Sequence, residues 1–141
     1  MAGNSWQQPV AGEPSLGTLH WLSAAAGYSV NAGTANTWTD VDVSSKVPAG
    51  TKAVLLNCMV RYLGSGVNQY GYIELRKNGS SFARPDVVQV GSQMDMAAGG
   101  ENAWVAGQAV VEVDASRIFE YEIYTSATTR NAYITVLGYY V

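Results

Sequence analysis

The residues best suited to nucleophilic chemistry in this chain are its one cysteine, Cys58, and its one histidine, His20. A thiol becomes a good nucleophile when a nearby base or positive charge lowers its pKa. Cys58 instead lies on the apolar side of an alternating stretch, and His20 lies between Leu19 and Trp21. We therefore expect a buried, inert thiol and a packed structural imidazole.

Two pairs of carboxylates have the spacing of side chains on one face of a strand. Asp40 and Asp42 form the first pair, and Glu120 and Glu122 form the second. The members of each pair would lie about 7 Å apart in extended backbone. Calcium takes about six to eight oxygen ligands, and glycoside hydrolysis requires carboxyls on both sides of a cleft. No loop or second carboxyl completes either arrangement, so both pairs are typical of a solvated strand face.

Other signs of catalysis or cofactor binding are missing from the sequence. The Gly99-Gly100 pair lacks the lysine and the helix that follow in a phosphate loop, and no cluster of cysteine and histidine could hold zinc. We therefore expect no catalytic residue, no cofactor and no metal ion, and predict that the protein is not an enzyme.

Charged residues are scarce, at 13% of the 141 residues against about 25% in an average soluble domain. Mean hydropathy is close to zero, so the surface must consist largely of neutral polar residues. The net charge of -3, without any Lys/Arg cluster, argues against a nucleic-acid partner. Apolar runs are only as long as strands and no basic segment precedes one near the start, so we expect neither a signal peptide nor a membrane span.

The elements that must position these residues are strands, and the clearest is Lys52–Leu63. Its even positions from Val54 to Tyr62 are all apolar, a period of two that commits one face to a core. Gly64-Ser65-Gly66 is expected to end this strand, and Asn78-Gly79 predicts a type I′ hairpin turn further along. The two strands before and after that turn are predicted at Asn68–Lys77 and Ser80–Val90.

The same alternation continues through the second half of the chain. Odd positions are small and apolar in Asn102–Asp114, and Phe119, Tyr121 and Ile123 alternate with polar neighbours in Arg117–Thr125. Asn131–Val141 is dense in tyrosine and β-branched residues. We expect this last segment to lie inside a sheet. Shorter strands are predicted at Leu19–Leu22, Gly27–Val30 and Thr37–Val43. The predicted core contains Val54, Leu56, Val60, Val111, Val113, Phe119, Tyr121 and Ile123.

These segments predict an all-β domain over residues 19–141. About eight strands, with turn signals roughly every 8–14 residues, are typical of two packed antiparallel sheets. We predict a jelly-roll β-sandwich, with an immunoglobulin-like sandwich as the alternative. Residues 1–18 contain Pro9, Pro14 and three glycines, which oppose a regular helix and indicate an extended N-terminal arm.

Three segments carry a resemblance to known proteins. They are Thr37-Trp38-Thr39-Asp40-Val41-Asp42-Val43-Ser44-Ser45, then Val47-Pro48-Ala49-Gly50 before a long apolar strand, and Leu75-Arg76-Lys77-Asn78-Gly79-Ser80. From Trp38 to Val141 the pattern resembles small jelly-roll proteins of tailed bacteriophage virions, including capsid decoration (cement) proteins and fibre domains. The resemblance implies a structural protein on the virion's capsid surface, often a homotrimer, whose partners are its own copies and the major capsid protein.

Aromatic side chains at outward strand positions agree with this expectation, because interface cores are enriched in aromatic residues and depleted in charge. The alternative is a carbohydrate- or receptor-binding domain at the tip of a tail fibre, with a glycan receptor as the partner, because sugars stack on the same exposed rings. The predicted interface residues are Trp6, Tyr70, Tyr72, Trp104 and Tyr124.

We predict that the N-terminal arm binds a neighbouring subunit or the capsid. Removal of residues 1–18 tests this prediction. Strands begin near Leu19, so the truncated chain should still fold, whereas loss of Trp6 removes the arm's large apolar anchor and should weaken association. Sedimentation and capsid binding of the truncated and full-length chains measure the effect. Equal assembly and equal capsid binding would show that the arm is a passive tail.

Overall fold

A computed structural model of the chain describes residues 17–23, 27–34, 36–81, 87–126 and 129–141. These ranges contain seven β-strands and no helix, and therefore no helix that could cross a membrane. The strands are β1 (Leu19–Trp21), β2 (Tyr28–Gly33), β3 (Thr39–Asp42), β4 (Ala53–Lys77), β5 (Val88–Glu112), β6 (Ile118–Thr125) and β7 (Thr129–Tyr140).

The architecture depends on β4 and β5, which are 25 residues long each and pair with one another in antiparallel fashion. On its other side β4 pairs with β7 through residues 53–63 and with β6 through residues 71–77. Sheet I therefore contains β1, β2, β7, the first half of β4 and the second half of β5. Sheet II contains β3, β6 and the remaining halves. Counted by halves, nine strands form a sandwich of two antiparallel sheets, which confirms the predicted all-β sandwich.

The alternation of side chains determines which face of each strand is buried. In β4 the side chains that face the core stand at even positions such as Leu56 in sheet I and at odd positions such as Ile73 in sheet II. Register shifts between Gly64 and Gln69 accompany this change of parity, so both halves of the strand present apolar side chains to one core. All eight predicted core residues are buried: Val54, Leu56, Val60, Val111, Val113, Phe119, Tyr121 and Ile123.

Two predictions about turns are wrong. Gly64-Ser65-Gly66 does not separate two strands, because β4 continues through it with a shifted register. At Asn78-Gly79 the Ser80 N–H donates to the Lys77 carbonyl over 3.0 Å, but only the glycine has a positive φ, of 72°. A type I′ turn requires positive φ at both central residues. The next strand begins at Val88 rather than at Ser80.

Leu56→Ala and Asn57→Ala test the assignment of the two faces of β4. Leu56 has no exposed surface, whereas its neighbour Asn57 is exposed on the opposite face. The leucine truncation leaves a cavity and should cost about 2–5 kcal/mol, whereas the asparagine truncation should cost about 0.5 kcal/mol or less. Chemical denaturation of both variants measures the free energies of unfolding. Similar losses for the two would mean that the faces are assigned incorrectly.

Candidate functional site

The predicted interface residues divide between the two outer faces of the sandwich. Tyr70, Tyr72 and Tyr124 lie together on sheet II, and Trp104 lies on sheet I. Trp6 lies outside the described residues. The structure therefore offers two separate aromatic surfaces.

The tyrosine cluster of sheet II consists of Tyr70, Tyr72 and Tyr124, all partly buried. Tyr72 is directly opposite Tyr124 in the β4–β6 ladder, and the ring centroid of Tyr70 lies 4.8 Å from that of Tyr124 and 6.2 Å from that of Tyr72. Gly91 faces Tyr72 across the β4–β5 ladder, and a Cβ there would stand 2.8 Å from the Tyr72 ring. A Cβ would also meet the Gly71 carbonyl and the Tyr72 Cα, so the glycine permits close approach of the β4 backbone as well as of the ring. The packed rings form a defined surface.

The aromatic strip of sheet I consists of Tyr28 from β2, Tyr133 from β7, and Trp104 from β5 with Arg61 from β4. Neighbouring ring centroids are 5.7 Å apart between Tyr28 and Tyr133 and 5.9 Å apart between Tyr133 and Trp104. Strand β4 lies between β5 and β7, so the backbones of β5 and β7 are about 10 Å apart. The ring centroids of Trp104 and Tyr133 are closer than that, which means that the two side chains lean towards each other across β4. Trp104 is 51% exposed and Tyr28 is 53% exposed.

The guanidinium carbon of Arg61 lies 5.3 Å from the centroid of the Trp104 ring, in the geometry of a cation–π contact. The two residues are direct partners in the β4–β5 ladder. This contact favours one orientation of the indole, so Trp104 is held in place as well as exposed.

A shallow groove of about 320 Å³ lies beside the strip. Asn57 and Gln108 are exposed cross-strand partners, and Asn57 is also paired with Thr135. At the rim, Lys46 donates a hydrogen bond of 2.8 Å from Nζ to the carbonyl of Gly27. The groove is lined by Gly27, Tyr28, Asn57, Met59, Tyr133 and Thr135.

Carboxylates concentrate on the outer face of sheet II. Glu120, which the sequence suggested would be solvated, accepts a hydrogen bond of 2.8 Å from Nε of Arg76, whose guanidinium lies 3.9 Å from the centroid of Trp38. Glu74 is only 1% exposed and its Oε1 accepts a hydrogen bond of 2.7 Å from Gln89. Among the described residues, no group of three or more acidic, histidine or cysteine side chains could hold a metal ion.

Cys58 has no exposed surface, and burial raises the pKa of its thiol to about 12. The thiol therefore stays protonated at neutral pH, as expected of a small core residue. His20 differs from its prediction, because it is exposed rather than packed in the interior. Its ring stacks on Tyr139 at 5.2 Å with a 13° interplanar angle. The short strand β1 pairs only with β7 in the described structure, which leaves this side chain on the surface.

A turn between β5 and β6 contains Asp114, whose carboxylate accepts three hydrogen bonds. Its Oδ1 accepts hydrogen bonds of 2.9 Å from the backbone of Ser116 and of Ile118, and its Oδ2 accepts one of 2.8 Å from Asn78. Burial alone would raise the pKa of Asp114, but these hydrogen bonds and the nearby charge of Lys77 together lower it. The ionised carboxylate thus stabilises the turn.

Arg117, in the same turn, joins it to the loop between β3 and β4. Its Nη1 donates to the carbonyls of Ser44 and Val47, each over 3.1 Å. Its φ of 66° is in the left-handed region, where side chains other than glycine are disfavoured. The two hydrogen bonds offset part of that cost, so we interpret Arg117 as structural.

No protein-family model matches the chain, and no curated protein matches its sequence. The two aromatic surfaces are therefore the features on which a role can be based. The sequence prediction included Trp104 but missed Tyr28, Tyr133 and Arg61. The alternation of each strand places these residues at outward-facing positions, which the sequence alone could have indicated. Their proximity depends on the order of the strands across sheet I, which the sequence did not reveal.

The pH dependence of stability tests the hydrogen bonds to Asp114. The lowered pKa in the folded state means that Asp114 contributes stability at pH values above its unfolded pKa of about 3.9, and that this contribution is lost as the pH falls through the folded value. We expect Asp114→Asn to reduce the slope of unfolding free energy against pH below about pH 4. Urea denaturation at a series of acidic pH values measures the slope, and identical slopes in the two proteins would contradict the assignment.

Proposed function

We propose that this protein is a non-enzymatic structural protein of a bacteriophage virion, which decorates the outer surface of the capsid as a homotrimer. The observation that carries the proposal is the tyrosine cluster, in which Tyr70 and Tyr72 of β4 meet the sequence-distant Tyr124 of β6 on one face, all three being predicted interface residues. Tyrosine combines a large apolar ring with a polar hydroxyl, and is enriched where protein surfaces meet.

The cluster has the features of a preorganised contact surface. Its rings are already packed against each other in the single chain, so little side-chain freedom remains to be lost on association. Beyond it on the same face lie Glu122 and the Arg76–Glu120 ion pair. Such polar groups suit the rim of an interface, around a centre that excludes water.

A protein that decorates a shell needs a contact with the shell in addition to contacts between its copies. We assign the shell contact to the arm, residues 1–18, anchored by Trp6. Several copies joined through the tyrosine cluster would present several arms at once, and linked contacts strengthen attachment well beyond that of a single arm. The sparse charge of the chain, at 13% of residues, also suits a protein that covers much of its surface in an assembly.

Tyr124→Lys tests the tyrosine cluster as the contact between copies. A lysine would bring like charges together between subunits and remove a ring from the contact, so we expect the association constant to fall by about ten-fold or more. Tyr28→Lys is the matched control, because it makes the same change at an exposed tyrosine on the other sheet. Sedimentation velocity over a range of concentrations measures both variants.

We expect the unmodified protein and Tyr28→Lys to sediment as trimers, and Tyr124→Lys to shift towards monomer. Co-sedimentation with capsids of the virus that encodes the protein should then show weaker attachment for Tyr124→Lys. A native chain that remains monomeric at every concentration would overturn the proposed trimer, and failure to bind capsids would overturn the proposed decoration of the shell.

A further inference from the structure

We propose that the aromatic strip of sheet I is a binding site for a neutral oligosaccharide, with Trp104 as its main stacking surface. The site is separate from the tyrosine cluster, since the two lie on the outer faces of different sheets. It would give the protein a recognition function in addition to its proposed structural role.

The rings form a row, tilted by 30° between Trp104 and Tyr133 and by 60° between Tyr133 and Tyr28, along which successive sugars of a twisted chain can stack. Trp104, Tyr133 and Tyr28 follow one another across sheet I at intervals of 5.9 and 5.7 Å. Each pyranose ring has an apolar face of C–H groups, which is stabilised against the face of an aromatic ring by removal of both from water. A row of rings therefore favours a chain of linked sugars over a single compact ligand.

Polar groups beside the rings match the hydroxyls at the edges of such sugars. The amides of Asn57 and Gln108 each offer donors and an acceptor, and the hydroxyl of Thr135 offers both in one group. The groove they adjoin, at about 320 Å³, falls within the usual range of about 300–1,000 Å³ for small-ligand sites. Sugar hydroxyls likewise donate and accept, so neutral groups on the protein can satisfy them.

The two cationic groups at the site are engaged by the protein itself, which favours a neutral ligand over an acidic one. Lys46, at the rim of the groove, donates from Nζ to the carbonyl of Gly27. Arg61 is the charged member of the strip, and its guanidinium lies over the Trp104 ring. Its principal role in the site is then to position the indole. The net charge of -3 for the whole chain would also repel a polyanion at long range.

A second copy of the chain fits the strip less well than a sugar does. The rings are interleaved with amide and hydroxyl groups, and Met59 is the largest aliphatic side chain lining the groove. The centre of an interface between identical copies is usually a continuous apolar surface. A sugar, by contrast, needs an apolar face and a polar edge in close proximity.

Titration of the full-length protein with neutral oligosaccharides tests the site. The probes are maltohexaose, cellohexaose, mannohexaose and chitohexaose, with a galacturonic acid hexamer as the acidic comparison. Calorimetry measures binding, and tryptophan emission reports on the indoles. We expect at least one neutral probe to bind and shift the emission to shorter wavelength, because stacking removes Trp104 from water.

Trp104→Ala should weaken that binding by about ten-fold or more and abolish the emission shift. Trp21→Ala is the matched control, because Trp21 is 64% exposed but belongs to β1, away from the strip. It should bind as the native protein does. Tyr133→Ala should weaken binding while leaving all tryptophans in place.

Several results would overturn the proposal. They are failure of every neutral probe to bind, equal losses in Trp104→Ala and Trp21→Ala, and binding of the acidic probe alone. Dissociation of an oligomer by Trp104→Ala, without sugar binding by the native chain, would instead identify the strip as an interface between copies. Tyr124→Lys separates the two proposals, since a monomeric variant that still binds sugar would retain this site whatever the fate of the trimer.

Discussion

The pairing of β4 with β5 is the constraint on which the rest of the structure depends. Each of the two strands contributes to both sheets. On its other side β4 pairs with β6 and β7, and these in turn pair with β3 and with β1 and β2. The shift of register between Gly64 and Gln69 keeps apolar side chains directed to one core as β4 passes between the sheets. In both halves of β4 the alternate side chains point outward, where Arg61 joins the aromatic strip and Tyr70 and Tyr72 join the tyrosine cluster.

The two surfaces differ in their surroundings as well as in their rings. The tyrosine cluster adjoins carboxylates on sheet II, whereas the aromatic strip adjoins amides and hydroxyls on sheet I. Because the faces are separate, the proposed contact between copies and the proposed sugar site would not compete for the same surface. A rigid sandwich between them fixes their relative orientation, because both depend on the same buried core.

Local alternation was sufficient to predict the core, the faces of the strands and the burial of Cys58, because a period of two acts within each strand. The continuity of β4 could not be predicted in this way, since Gly64-Ser65-Gly66 is compatible with a turn or with a bulge and long-range pairing decides between them. Burial of Glu74 depends on its neighbours from other strands. Tyr28 and Tyr133 were missed for the same reason, because only the order of strands across sheet I places them in one row with Trp104.

Within the described residues β5 pairs with β4 alone, so this one strand forms an outer border of both sheets. Unpaired backbone along a border of this length is a template for edge-to-edge polymerisation, which soluble proteins must suppress. Gly91 and Gly107 interrupt the side-chain pattern of β5, and Glu112 adds a charge near its end. Among the described strands β1, β2 and β3 are edges as well, but β5 is the one that borders both sheets, so its sequence is under two demands at once: it must complete the core and keep other chains from extending either sheet.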